Sequence, residues 1–492
     1  MHPTPLCCLV LGAATAPLSA QTQFVVRTPA AVAATSLIEA AAADLDGDGD
    51  LDLCAGTGLF ATGPRVRLLR NAGGERFVDV TATSLPALPA GLLSTSKIVP
   101  IDIDGDGDLD LFVSANGMSL LWRNDGNLTF TDVSANLPTN FGYFNDAVVA
   151  DFDGDGDFDL AASGSALGAS YNQMFENQGG GVFTQSFAFP GTLSNAVVGA
   201  DIDLDGDLDL VTGDASGGIS VRRNDGNLVF TDVTAAWAPP GLTGVVLDVV
   251  AGDLDGDGRV DLVLGRQNIG LDLVLHNTGS AFVVAGSLAI AASGTKSMFV
   301  ADVDEDGDLD LFRAAISGSI TLALNDGFGS LVVSATRLPA VTSVTPRLVA
   351  GDFDGDGDVD LLACEPLSPS MLLVNRQRDL RPGQPMLGQP WHIELWSEPG
   401  YATLHHVARL GIALAVLPQP LVVPSFGELW LDLGAGYVHL DGIVLAGVGS
   451  HTFTLAVPAS PPLLGLPLHV QGLAEQARGP ARLTAHFGVT VQ

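Results

Sequence analysis

Short apolar runs recur along the chain in a fixed order, and none follows the 3.6-residue spacing of an amphipathic helix. A unit opens with a run such as DAVVA (146–150), passes through an aspartate-rich loop, and resumes in a strand such as LDLFVSA (109–115). A variable turn follows. The next strand ends in Asn-Asp-Gly or a relative of it, as in RNDGNLTFTDV (123–133) and RNDGNLVFTDV (223–233). Asn-Asp-Gly between apolar runs signals a hairpin, because these residues accept the backbone angles a tight turn needs. Each unit therefore predicts four short antiparallel strands.

Seven loops punctuate the units: DLDGDGDLD from Asp44, DIDGDGDLD from Asp102, DFDGDGDFD from Asp151, DIDLDGDLD from Asp201, DLDGDGRVD from Asp253, DVDEDGDLD from Asp302 and DFDGDGDVD from Asp352. Their starts lie 58, 49, 50, 52, 49 and 50 residues apart. A near-constant period of this size means an array of equal units, and four strands per unit is the size of a propeller blade. QFVVRT (23–28) resembles the last strand of a unit, as in RFVDVT (76–81), whereas the seventh unit stops at LLVNRQRDL without one. Residues 23–28 are thus expected to complete blade seven and close a ring. Beyond residue 380 the loops end, and Pro-rich breaks (LRPGQP, LPQPLVVP, PASPPLLGLP) separate runs such as HIELW, GELWLDL and HTFTLAV. The expected fold class is all-β: a seven-bladed β-propeller over residues 21–380, then a smaller β-sandwich-like domain over 381–492.

Composition changes this picture in two ways. The formal charge of −35 over 492 residues argues against nucleic acid or an anionic membrane surface as partner. The first twenty residues, MHPTPLCCLVLGAATAPLSA, have the apolar core and small-residue cleavage region of a signal peptide, although the n-region lacks Lys and Arg. That run is too short and interrupted to span a bilayer, and no later run is long enough, so no transmembrane segment is expected. The expected localisation is secreted or extracellular.

The acidity is concentrated: 35 of the 56 acidic residues, 34 Asp and Glu305, sit in the seven loops. Asp stands at position 1 (Asp44, Asp102, Asp151, Asp201, Asp253, Asp302, Asp352), position 3 (Asp46, Asp104, Asp153, Asp203, Asp255, Asp304, Asp354), position 5 (Asp48, Asp106, Asp155, Asp205, Asp257, Asp306, Asp356) and position 9 (Asp52, Asp110, Asp159, Asp209, Asp261, Asp310, Asp360) of every loop. Position 6 is always Gly. Position 7 varies (Asp50, Asp108, Asp157, Asp207, Arg259, Asp308, Asp358), so it is expected to offer its backbone carbonyl and leave its side chain free. Four carboxylates and a carbonyl form an all-oxygen cage for a hard, flexible cation, which fits Ca2+ better than Mg2+. With no His or Cys in the loops, zinc and copper are not expected. The loops are not EF-hands, since position 12 is never Glu and the flanks are strands. About seven structural Ca2+ ions follow.

At this point D-x-D-x-D-G-x-x-D-L, repeated seven times, resembles the FG-GAP/VCBS repeats of integrin-α-like β-propellers over roughly residues 22–380. The resemblance implies a seven-bladed propeller with calcium between the first and second strand of each blade. It also implies an extracellular binding or adhesion role, with ligand on the face away from the calcium loops. The weaker likeness of residues 381–492 is to C-terminal domains that follow such arrays in some secreted bacterial proteins.

Several other features remain open. Phe60, Phe141, Tyr143, Phe144, Tyr171 and Trp237 fall on connections of the opposite face, either as a ligand surface or as rings packed between blades. Cys54 and Cys364 lie in blades one and seven and either pair or stay as buried thiols, the second being the better expectation. Seven of the nine histidines lie beyond residue 381 without ligand-like spacing, and Trp391, Trp396 and Trp430 there read as core. No nucleophile motif, P-loop, HExxH or dinucleotide fingerprint occurs, so no catalytic residue or cofactor other than calcium is assigned. The expected function is a monomeric, secreted, calcium-binding module for an extracellular protein or polysaccharide. The alternative is an extracellular polysaccharide lyase or hydrolase with its site in the propeller funnel.

Overall fold

The computed structural model describes residues 23–376 apart from short segments, and beyond residue 380 it describes strand backbones. Seven four-stranded antiparallel sheets succeed one another along the chain. Blade 1 is built from Leu37–Ala43, Asp52–Thr57, Val66–Asn71 and Phe77–Asp79, and blade 2 from Thr95–Ile101, Asp110–Ala115, Met118–Asn124 and Phe130–Asp132. Blades 3 to 6 repeat this order. Blade 7 takes three strands from its own unit (Arg347–Gly351, Asp360–Cys364, Met371–Asn375) and its fourth, Phe24–Arg27, from the start of the chain. Phe24 pairs with Asn375 and Arg27 with Leu372, so the ring closes as the sequence predicts. A seven-bladed β-propeller results.

The second strand of each blade explains the unbroken apolar runs. It has a neighbouring blade on both faces, so all six residues of Asp52–Thr57 and of Asp110–Ala115 are buried. Alternate residues serve opposite neighbours. Leu111 and Val113 pack with Cys54, Val66 and Leu68 of blade 1, whereas Phe112 packs with Phe144 and Phe175 of blade 3. Apolar layers of this kind join every consecutive pair of blades, including blade 7 to blade 1 through Leu362, Cys364, Leu53 and Ala55. Each fully buried Leu or Phe contributes roughly 1.5–3 kcal/mol of transfer free energy.

Alternation also settles the cysteines. Cys54 faces blade 2 and Cys364 faces blade 1, because they sit on the same side of their strands and point the same way around the ring. Both are free and fully buried. Burial pushes the Cys54 thiol up to about 12 and the Cys364 thiol well above its ordinary value. Neither should react with iodoacetamide in the native protein, and both should react after denaturation; labelling of the native state would contradict this packing.

The structure differs from the sequence reading at two places. Single helical turns follow some fourth strands, such as Thr81–Ser84 and Thr234–Trp237, too short to leave a 3.6-residue pattern. The hairpin after Asn124 is longer than an Asn-Asp-Gly turn. Gly126, Asn127 and Leu128 all have positive φ, and the Thr129 N–H closes onto the Gly126 carbonyl. Of the rings left open between a ligand surface and packing between blades, Phe144 and Trp237 pack: they are 1% and 6% accessible and lie on Phe175 and Phe282. Phe60, Phe141, Tyr143 and Tyr171 lie outside the described residues.

Beyond residue 380, Pro390–Trp396 pairs with Leu380–Arg381 and with Ser450–Ala456. His406–Ala413 lies between Tyr437–Val444 and Pro467–Ala474, and the latter also pairs with Arg482–Thr490. These are antiparallel strands, as expected. The sandwich packing and the His and Trp side chains of this region lie outside the described residues.

Candidate metal centres

Each loop is folded by its own carboxylates. In the first, Asp44 accepts the N–H groups of Gly47 (2.8 Å) and Gly49 (3.0 Å), Asp46 accepts that of Asp48, and Asp48 that of Asp50. Position 4 requires a left-handed backbone, which Gly47 adopts freely and which Leu204 and Glu305 adopt under strain. Position 2 is a buried anchor: Leu45, Ile103, Phe152, Ile202, Leu254, Val303 and Phe353 are all at most 3% accessible.

Position 9 is the pivot. Its carboxylate is buried in all seven blades, with one oxygen accepting the position-2 N–H and the other the N–H of an asparagine ending the third strand. In blade 4, Asp209 accepts from Ile202 at 2.9 Å and from Asn224 at 2.7 Å. The same pair of bonds holds Asp52, Asp110, Asp159, Asp261, Asp310 and Asp360.

Three carboxylates of a loop converge in each of four blades. In blades 2, 3 and 4, positions 1, 3 and 9 (for example Asp102, Asp104 and Asp110) each offer an oxygen within 4.8 Å of the others. In blade 1 the same holds for Asp44, Asp46 and Asp48. The side chain of position 7 turns aside, so that Asp50, Asp108, Asp157 and Asp207 lie against the turn glycines Gly73, Gly126, Gly179 and Gly226. The Asp loops and the hairpin turns therefore share one face of the disc.

The profile of the FG-GAP-like repeat family matches residues 44–113, 102–162, 201–264 and 302–363, which together include all seven loops. The chain carries FG-GAP-like repeats. No curated protein sequence matches it. Among solved structures, an Agrocybe aegerita lectin, described as recognising non-reducing terminal N-acetylglucosamine, is 20% identical with a TM-score of 0.43, over 60% of this chain and 79% of that one. BBS1N in complex with ARL6DN is 15% identical with a TM-score of 0.47, over 72% and 97%.

Two properties of the FG-GAP-like loops bear on whether they suit a cation. The Oδ1 atoms of Asp104 and Asp203 are buried and accept no hydrogen bond, an expensive state for a carboxylate oxygen that a cation would relieve. Burial also holds the position-9 carboxyls of Asp52, Asp110, Asp159 and Asp209 up at about 7, and that of Asp310 at about 8. Asp46, Asp104, Asp153 and Asp203 are raised too, first by burial and then by neighbouring charges. Without a positive charge among them these groups resist ionising, so the donor set fits a hard divalent cation.

The asparagines were the part the sequence reading missed. Besides giving its N–H to position 9, each gives its side-chain amide to the position-2 carbonyl of the preceding blade. Asn124 reaches Leu45, Asn177 Ile103, Asn224 Phe152, Asn277 Ile202, Asn325 Leu254 and Asn375 Val303, all at 2.8–3.0 Å. Asn71 closes the circle on Phe353 at 3.0 Å. The signal was present, since Asn persists where Asp-Gly does not, as in Asn71-Ala72-Gly73 and Asn375-Arg376.

Proposed function

We propose that the protein is a secreted propeller, stabilised by calcium, that binds an extracellular protein or polysaccharide. The supporting observation is the clustering of carboxylates in the loops, which leaves the buried Oδ1 atoms of Asp104 and Asp203 in need of a positive charge. Asp at positions 1, 3, 5 and 9 would hold calcium with the position-7 carbonyl, and the ion would neutralise the loop. Its role is structural, which fits a rigid scaffold presenting connections for recognition. The full-length chain should capture members of one ligand class on a glycan or extracellular-protein array in calcium and lose them in EDTA. Capture indifferent to EDTA would count against calcium's part in the reading.

The enzymatic alternative draws on one observation. Glu39, Lys97, Asp146, Asp248, Lys296 and Arg347 come from the first strands of six blades and face one another at the centre of the ring. Burial pushes the Asp248 carboxyl up to about 7, where it could donate a proton. Its neighbours are engaged in bridging blades: Lys97 meets Asp146 at 2.8 Å and Arg347 meets Glu39 at 3.1 Å. Asp248 itself accepts the Met298 N–H at 2.6 Å. These bonds favour a structural ring over a catalytic set. Product release from a polysaccharide panel, abolished in Asp248→Asn, would favour the enzyme instead.

A further inference from the structure

The fifth blade departs from the other six at two places, and both departures change its donor set in one direction. Its position 7 is Arg259, whose guanidinium lies 2.6 Å from the Asp257 carboxylate. The position-5 oxygens of this loop are thus drawn toward a cation supplied by the chain. The second departure is on the third strand. The residue before the clasp asparagine is Arg in blades 1, 2 and 4, where Arg70 lies 3.6 Å from Asp46 and Arg123 lies 3.9 Å from Asp104, and is Glu176, Leu324 and Val374 in blades 3, 6 and 7. In blade 5 this residue is His276, and its Nδ1 lies 3.2 Å from Asp255 Oδ2. Asp255, Asp261 and His276 each offer a ligand atom within 4.8 Å of the others. His276 Nε2 is buried without a hydrogen-bond partner, and the ring lines a cavity of about 200 Å³ beside Phe328–Leu331.

We propose that the fifth loop is a site for a borderline divalent ion of the Zn2+ class, ligated by the His276 imidazole together with Asp255 and Asp261. Imidazole nitrogen suits zinc, cobalt and nickel and contributes little to calcium, whose preference is for oxygen. Arg259 takes one carboxylate out of the hard cage, and His276 puts a nitrogen in its place. With Nδ1 toward the carboxylates, Nε2 lies buried against Gly329, which fixes the ring in the orientation that offers Nδ1 to the ion. The expectation that the loops exclude zinc for want of histidine overlooked a residue fifteen positions beyond Asp261, brought in by the third strand. The inference rests on the reading of the loops as cation sites.

The test uses the full-length protein, stripped of metal and dialysed against millimolar calcium with micromolar zinc, its bound metals then counted by mass spectrometry. Wild type should retain one more equivalent of zinc than His276→Ala or His276→Gln, with calcium unchanged between them. Histidines elsewhere in the chain contribute equally to all three and cancel. Cobalt in place of zinc should give wild type a visible absorption band that both variants lack. Equal zinc in all three, with calcium bound, overturns the inference and leaves the other loops as calcium sites; it would mean that Arg259 and His276 stand in for the ion. Absence of both metals from wild type overturns the inference and the calcium reading together.

Discussion

EDTA is expected to lower the melting temperature of the protein by roughly 10–20 °C relative to millimolar calcium. A ligand that binds only the folded state at about a hundred times its Kd contributes ~2.7 kcal/mol per site, and several equivalent loops add. At about 2 °C per kcal/mol for a domain of this size, even four occupied loops reach the upper figure. The loops have reason to respond so strongly. Their position-1 carboxylates fold the turn, and their position-9 carboxylates fix the asparagine that joins each blade to the one before it. Scanning calorimetry in calcium, in EDTA and after recalcification measures the effect, and superimposable melts would refute the calcium assignment.

The pH dependence should reverse with metal. Without calcium, Asp52, Asp110, Asp159 and Asp209 have folded values near 7 against an ordinary 3.8, so the folded state holds more protons between those limits. Their contribution is fully present below pH 3.8 and is lost as pH rises through about 7. The metal-free protein should therefore melt higher at pH 5 than at pH 8. With calcium the carboxylates must be ionised to bind, so the gain from calcium should shrink over the same descent. The two melting curves converge toward pH 5; parallel curves would mean that position 9 does not titrate in this way.

What could be read from the sequence follows from what repeats. The blade count, the loop positions and the ring closure by residues 23–28 were legible because each is a pattern stated seven times, or conspicuously missing once. The Asp loops were legible as carboxylate clusters because the side chains of one nine-residue tight turn are brought together. His276 and the clasp asparagines were not, because their partners lie in other strands or other blades: Asn224 acts on Phe152, 72 residues earlier. Phe144 and Trp237 were placed on connections correctly, but a connection can fold inward over a core, and sequence position alone does not show which way a ring turns.

Asp209→Ala is expected to destabilise the protein by about 3–5 kcal/mol even in EDTA, which separates the structural role of position 9 from any role in holding metal. The substitution leaves the Ile202 and Asn224 N–H groups buried and unpaired, at roughly 1–3 kcal/mol each, and adds a small cavity. Asp209→Asn keeps one acceptor and should cost about half as much. Asp207→Ala is the control: its carboxylate lies outside the cage against Gly226, and surface changes of this kind stay within about 0.5 kcal/mol. Asn224→Ala should cost about 1–3 kcal/mol, since it frees the buried Phe152 carbonyl of the preceding blade. Because Asn224 acts as a clasp only while Asp209 fixes its backbone, the double variant Asp209→Ala, Asn224→Ala should lose less than the sum of the two. Urea unfolding of the five variants measures this. Additive losses would mean that loop and clasp act independently. A coupled loss would mean that each loop and the clasp of its own blade form one unit, through which order in one loop reaches the loop of the blade before it.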